Sequence, residues 1–219
     1  MSFLDIVSKL NPKPILGFNL TAENTQLLDL SAQNQLMQAV DLRDTDQFQA
    51  LIDELMAGKT VGRGGYMENR LVYSQSHVFK GESRSRSLHL GVDLWTAALT
   101  PVYAPIGGKV HSFEFNDRFG DYGATLILEH QVDQQVFHTL YGHLSLASIE
   151  GQQVGREIQA GERVAWIGEP HENGHWPPHL HFQIIIDMQG KRGDYPGVAY
   201  PDEQSFYQQN CPDGSLLIV

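Results

Sequence analysis

Two textures of hydrophobic and polar positions divide the chain near residue 60. Between Ala22 and Met56 the apolar residues Leu36, Val40, Phe48, Leu51, Ile52, Leu55 and Met56 recur at spacings near three and four, the period of an amphipathic helix. Asp44 or Thr45 caps a predicted helix over Asp46 to Ala57, and Gly58 stops it. Residues 1–60 are therefore expected to form a helical N-terminal extension of two or three short helices. Their apolar faces pack on the rest of the chain or serve as a docking surface. Beyond Thr60 the apolar runs shorten and are broken by Gly, Asn and Asp, as in antiparallel β structure. Residues 102–105 and 107–113 read as strand, glycine turn and strand, 124–129 as another strand, and 154–168 as short strands between evenly spaced glycines. The predicted fold is mainly β, with antiparallel sheets forming a groove over residues 61–200 and a C-terminal tail from 201 to 219.

The chemistry lies on the same alternation. In the run after Pro177-Pro178, Leu180, Phe182 and Ile184 point to one face of a strand, and His179, His181 and Gln183 to the other. Two imidazoles so placed lie roughly 6–7 Å apart at the backbone, which suits one metal ligand beside one acid/base group. Upstream, Leu88, Leu90, Val92 and Leu94 alternate with His89, Gly91 and Asp93, and Gly91 leaves space between two potential ligands. His89, Asp93 and one histidine of the later pair make a set of two nitrogens and one carboxylate. Zinc accepts that set and keeps a fourth position for water.

A third motif, Tyr141-Gly142-His143-Leu144, ends the β-like run 136–141. His-x-Gly-x-Asp, then Tyr-x-His-Leu, then His-x-His, in that order, resembles the lysostaphin-like (LytM-type) zinc metallopeptidases over roughly residues 84 to 187. The resemblance implies that His89, Asp93 and His181 bind zinc, and that His143 and His179 are catalytic histidines that do not. It implies a zinc metalloendopeptidase acting on a glycine-containing or cell-wall-type peptide. His179, beside His181, is the expected general base, and His143 the expected donor to the oxyanion; the two roles are exchangeable. Asp121-Tyr122-Gly123, Leu128-Glu129-His130, Glu172-Asn173-Gly174 and Trp176-Pro177-Pro178 are further similar to a peptidase module fused to small-molecule kinase and class III aminotransferase domains. Two alternatives stand beside the leading one: a cytoplasmic zinc hydrolase of a small amide or peptide metabolite, and an inactive zinc-bearing binding or regulatory module; blockage by the N-terminal segment would produce the same inactivity.

The 154–168 pattern also occurs in lipoyl- and biotinyl-carrier barrels, which share the hairpin architecture called a duplicated hybrid motif. A carrier needs a lysine at a hairpin tip, and this stretch has none. His111, His130, His138, His171 and His175 are expected to be structural, with His138 a candidate to face the groove and the 170–178 loop a candidate cleft wall. Tyr141 and Gln183 are candidates for supporting contacts, Tyr141 chiefly through packing. The formal charge of −11, without a basic stripe, argues against nucleic-acid or anionic-membrane partners. A single cysteine, Cys211, excludes an internal disulfide. Asp5 and Lys9 interrupt the apolar residues of the first ten positions, which do not read as a secretory signal, so a cytoplasmic location is expected.

Overall fold

The structure, a computed structural model, describes residues 3–70, 72–75 and 84–219. Strands run in the order β1 (Thr25–Leu28), β2 (Val61–Gly64), β3 (Leu88–His89), β4 (Val92–Trp95), β5 (Pro101–Tyr103), β6 (Gly108–Asn116), β7 (Gly123–Val132), β8 (Gln135–Leu144), β9 (Glu157–Ile158), β10 (Arg163–Trp166), β11 (His179–Ile185) and β12 (Val198–Ala199). The helices are α1 (Phe3–Val7), α2 (Gln35–Gln38), α3 (Thr45–Met56) and α4 (Gln204–Asn210). Eight strands form one sheet, ordered β1-β2-β4-β11-β8-β7-β6-β9, and β10-β5 and β12-β3 form two small ones. The fold is mainly β, as expected.

The predicted helix over 46–57 is α3. Asp44 caps it, its carboxylate accepting from the backbone N–H groups of Asp46 and Gln47, and Ala57 ends it in the left-handed conformation at φ 51°. Phe48, Leu51 and Ile52 form its buried face. Burying a side chain such as Phe48 is worth about 1.5–3 kcal/mol.

The expectation of purely antiparallel sheets needs one correction, because β1 pairs with β2 in parallel. Two parallel neighbours require a crossover, and α2 and α3 lie between them in the chain. Thr25-Gln26-Leu27-Leu28 is too short to alternate visibly, and only Leu28 of the four is buried. The N-terminal segment thus contributes a strand to the main sheet as well as helices. At the other end, residues 201–219 carry α4 and place Cys211 and Leu217 in the interior.

One face of the sheet covers a core that includes Val92, Leu94, Leu126, Tyr141, Leu180 and Phe182. The opposite face, near β4 and β11, is covered by a second cluster that includes Leu30, Met37, Phe48, Tyr73, Trp95 and Trp176. The histidines of β11 lie on that second face, beneath the cluster.

Candidate metal and catalytic site

Register brings the motifs together. Across β11 and β4, His181 stands opposite Asp93 and His179 opposite Trp95; across β11 and β8, His181 stands opposite Gly142. Directly opposed residues share a face, so Asp93, Trp95, His179 and His181 form one patch. The chain breaks its strand at Leu90-Gly91, between β3 and β4, and folds His89 back onto Asp93. A Cβ at Gly91 would stand 2.6 Å from the His181 ring, so the glycine is what lets that imidazole enter.

Three ligand atoms converge. His89 Nε2 lies 3.0 Å from His181 Nδ1 and 3.2 Å from Asp93 Oδ1, and His181 Nδ1 lies 3.1 Å from Asp93 Oδ1. The opposite ring nitrogens settle the tautomers. His89 Nδ1 is 2.9 Å from the Gly65 carbonyl, which only accepts, so that nitrogen carries the proton. Gln183 Nε2 donates to the Pro196 carbonyl at 3.1 Å, which turns Gln183 Oε1 toward His181 Nε2 at 3.0 Å as an acceptor. His89 Nε2 and His181 Nδ1 therefore both present lone pairs, to each other and to a carboxylate. Burial first, then the Arg70 cation, lower the His89 pKa to about 4, so His89 is neutral near pH 7. Three lone pairs converging without a proton repel one another, and a cation relieves this. A tetrahedral zinc with bonds of about 2.0–2.1 Å holds its ligands roughly 3.3 Å apart, close to this triangle. The residues fit the metal. Among the described residues these are the His, Cys, Asp and Glu side chains clustered closely enough to hold one.

The second oxygen of Asp93 is engaged by Arg70 Nη1. Arg70 also donates from Nε to Glu68 at 2.7 Å and is itself buried. Burial alone would raise the Asp93 pKa, but His89 and Arg70 together hold it well below the usual carboxylate range. Arg70 was not legible in the sequence, because it lies on an irregular stretch with no motif around it. Trp95 had a signal: it continues the alternation of His89, Gly91 and Asp93. Its ring stacks on His179 with centroids 3.9 Å apart.

His143 reaches the patch through a defect in the sheet. Simple alternation would aim it into the core with Tyr141. The β7–β8 register slips between Ala124 and Leu126, and His143 takes the left-handed conformation at φ 60°. The bulge re-aims the ring toward His179, with centroids 4.2 Å apart. A non-glycine residue held so costs about 1–3 kcal/mol, which the surrounding contacts must offset. His143 Nδ1 is 2.8 Å from the Asn173 carbonyl, and His179 Nδ1 is 2.8 Å from the Pro177 carbonyl. Both rings are thereby fixed with Nε2 as the free lone pair. Burial depresses both, His179 to about 4 and His143 well below its ordinary value, so both are neutral near pH 7. A neutral His143 so arranged has no N–H for an oxyanion; the expected donor role requires a second proton on the ring.

The remaining candidates separate clearly. Gln183 supports His181, and Tyr141 packs in the core with its hydroxyl near Thr139. His130 is a satisfied interior histidine, bonded to the Gly107 carbonyl and Thr139. His138 shares β8 with His143 but lies at its other end, beside His111. The 170–178 loop does wall the site, through Trp176 rather than its histidines, and Asn173 braces that loop through Gly168 and Trp176.

Residues 87–194 match the model of Peptidase family M23, a stretch that contains all five of these residues. Among solved structures, the chain is similar to the catalytic domain of the antimicrobial peptidase lysostaphin from Staphylococcus simulans. Identity is 25%, coverage 56% of this chain and 80% of that one, and the TM-score 0.39. It is also similar to a zinc-containing peptidase from Vibrio cholerae, at 29% identity over 49% of this chain and 30% of that one, with a TM-score of 0.37. Among curated proteins no sequence matches.

Proposed function

We propose that the chain is a zinc-dependent peptidase of the M23 type, with His89, Asp93 and His181 as metal ligands and His143 and His179 as acid/base groups. The observation that carries this reading is the convergence of three ligand atoms within 3.0–3.2 Å of one another. Zinc held there supplies Lewis acidity, acidifying water and polarising a carbonyl.

The chain's own residues do the rest. His179 or His143 takes a proton from water at its free Nε2, while its Nδ1–H stays on a backbone carbonyl and keeps the ring in place. The imidazolium so formed carries the N–H that an oxyanion or a departing amine needs, and it returns the proton to that amine. With the two rings this close, one proton shared between them is favoured over two. Arg70 holds Asp93 ionised and turned toward the ligand triangle, and Gln183 orients the His181 ring so that Nδ1 faces it.

The resemblance points to a glycine-containing or cell-wall-type peptide. The enclosure of the site supports a second reading, hydrolysis of a small amide. No helix among the described residues is long and apolar enough to cross a membrane; the cytoplasmic location is part of this proposal, and cell fractionation tests it. The functional test is hydrolysis of a peptide panel by the purified chain, with bound zinc measured in parallel. Turnover that a chelator abolishes and zinc restores is the expected result. Turnover unaffected by metal removal contradicts the proposal.

A further inference from the structure

The five site residues are 0–6% exposed, which is unusual for groups that must meet a polymer. Asp93, His143, His179 and His181 form the floor of a pocket whose walls include Leu30, Met37, Phe48, Tyr73, Trp95 and Trp176. Four of these precede residue 87, so the N-terminal segment builds the roof. The roof is anchored: β1 pairs with the main sheet, the Thr45 hydroxyl donates to the His175 carbonyl at 2.8 Å, and Phe48 meets Trp95 and Trp176 edge-on at 5.6 and 6.4 Å.

A plug would place a ligating or polar group on the metal triangle. This segment instead presents the hydrocarbon of Leu30, Met37 and Phe48, and leaves a cavity of about 50 Å³ inside a hollow of about 530 Å³ that includes the open mouth. The roof is therefore a wall of the binding site. An extended polymer needs a trough open at both ends, whereas a walled pocket takes a small molecule or a chain end. Two buried donors without partners among the described residues, Trp95 Nε1 and the Tyr122 hydroxyl, belong to residues lining the same pocket, and they suit carbonyl oxygens.

We infer that the substrate is a short peptide or N-acyl amide with an uncharged apolar side chain beside the cleaved bond, seated against Met37, Phe48 and Trp176. This rests on the hydrolytic reading above. The test uses the zinc-loaded full chain and N-acetyl dipeptide amides bearing Ala, Leu, Phe, Asp or Lys, the same sequences lengthened to about ten residues, and cell-wall fragments. Apolar dipeptide amides should be cleaved at least ~10-fold faster than charged or lengthened ones, as expected for a shaped apolar pocket. Phe48→Leu, which keeps the wall apolar but enlarges the space, should shift kcat/KM toward the bulkier side chains. Equal or faster cleavage of the long peptides or wall fragments overturns the inference. If nothing is cleaved, tryptophan fluorescence of the zinc-free protein decides. A saturable change with the apolar amides alone keeps the pocket and places the failure in the hydrolytic reading; no saturable change overturns the pocket.

Discussion

Strand β8 carries a histidine cluster near each end, and the two differ in how their nitrogens are held. At one end, His143 joins His179, His181, His89 and Asp93, and each imidazole has one nitrogen tied to an acceptor oxygen that aims the other inward. At the other end, His138 lies 4.8 Å from His111 between ring centroids, with Glu129 3.8 Å away. There the carboxylate is already paired with Lys109 at 2.8 Å, and Arg192 donates to the His111 carbonyl. Both ends hold two or more histidines and a carboxylate. Among the described residues only the first brings three ligand atoms together with no competing cation on the converging atoms; at the second, His111 Nδ1 is turned to the Ser112 hydroxyl at 2.8 Å. Composition alone does not distinguish a metal site from a polar patch; the second partner of each nitrogen does.

The largest expected effect breaks the comparison if it fails. His89→Ala or His181→Ala should lower zinc affinity by far more than ~100-fold, since each removes a proposed direct ligand, while His111→Ala and His138→Ala should leave about one zinc per chain. Metal analysis after dialysis against a weak chelator measures this. Retention in the first pair and loss in the second would reverse the assignment of the two ends.

Next in size is the split between holding metal and using it. His143→Ala and His179→Ala should keep the metal and lose at least ~100-fold in turnover, as for removed acid/base groups. Zinc loss in His179→Ala alongside retention in His181→Ala would mean that the wrong nitrogens were assigned as ligands.

The third effect sharpens what orientation is worth. Arg70→Met leaves Asp93 and Glu68 without their buried cation, and should cost about 3–5 kcal/mol of stability in denaturant unfolding. It should also weaken zinc binding by about 10–100-fold, as for other groups that support a ligand. Unchanged metal affinity in a folded variant would show that Asp93 is positioned by its strand alone.

The smallest effect concerns the pocket wall. Tyr122→Phe removes a buried hydroxyl that has no partner, so thermal stability should rise by up to about 1 kcal/mol while turnover falls. A fall in both would point to a structural bond for that hydroxyl.

Much of this site was legible because strands encode faces in alternate residues. His89, Gly91 and Asp93, and later His179, His181 and Gln183, show their shared sides in the sequence itself. The bulge at His143 was not legible, since alternation sends that side chain the wrong way and only a left-handed backbone returns it. Arg70 and the roof residues Leu30 and Met37 were hidden for another reason. They meet the histidines through tertiary packing from a segment whose local pattern records only helices, and β1 carries too few residues to show a period.

The central claim is that His89 Nε2, His181 Nδ1 and Asp93 Oδ1 surround one zinc ion beside two free imidazoles. Anomalous diffraction at the zinc edge from crystals of the zinc-loaded protein tests it most directly. The account predicts one peak about 2.0–2.1 Å from both ring nitrogens and about 2.0–2.2 Å from the carboxylate oxygen, with His143 and His179 outside bonding distance. A peak bonded to His143 or His179, or located between His111 and His138 with the triangle empty, would contradict it.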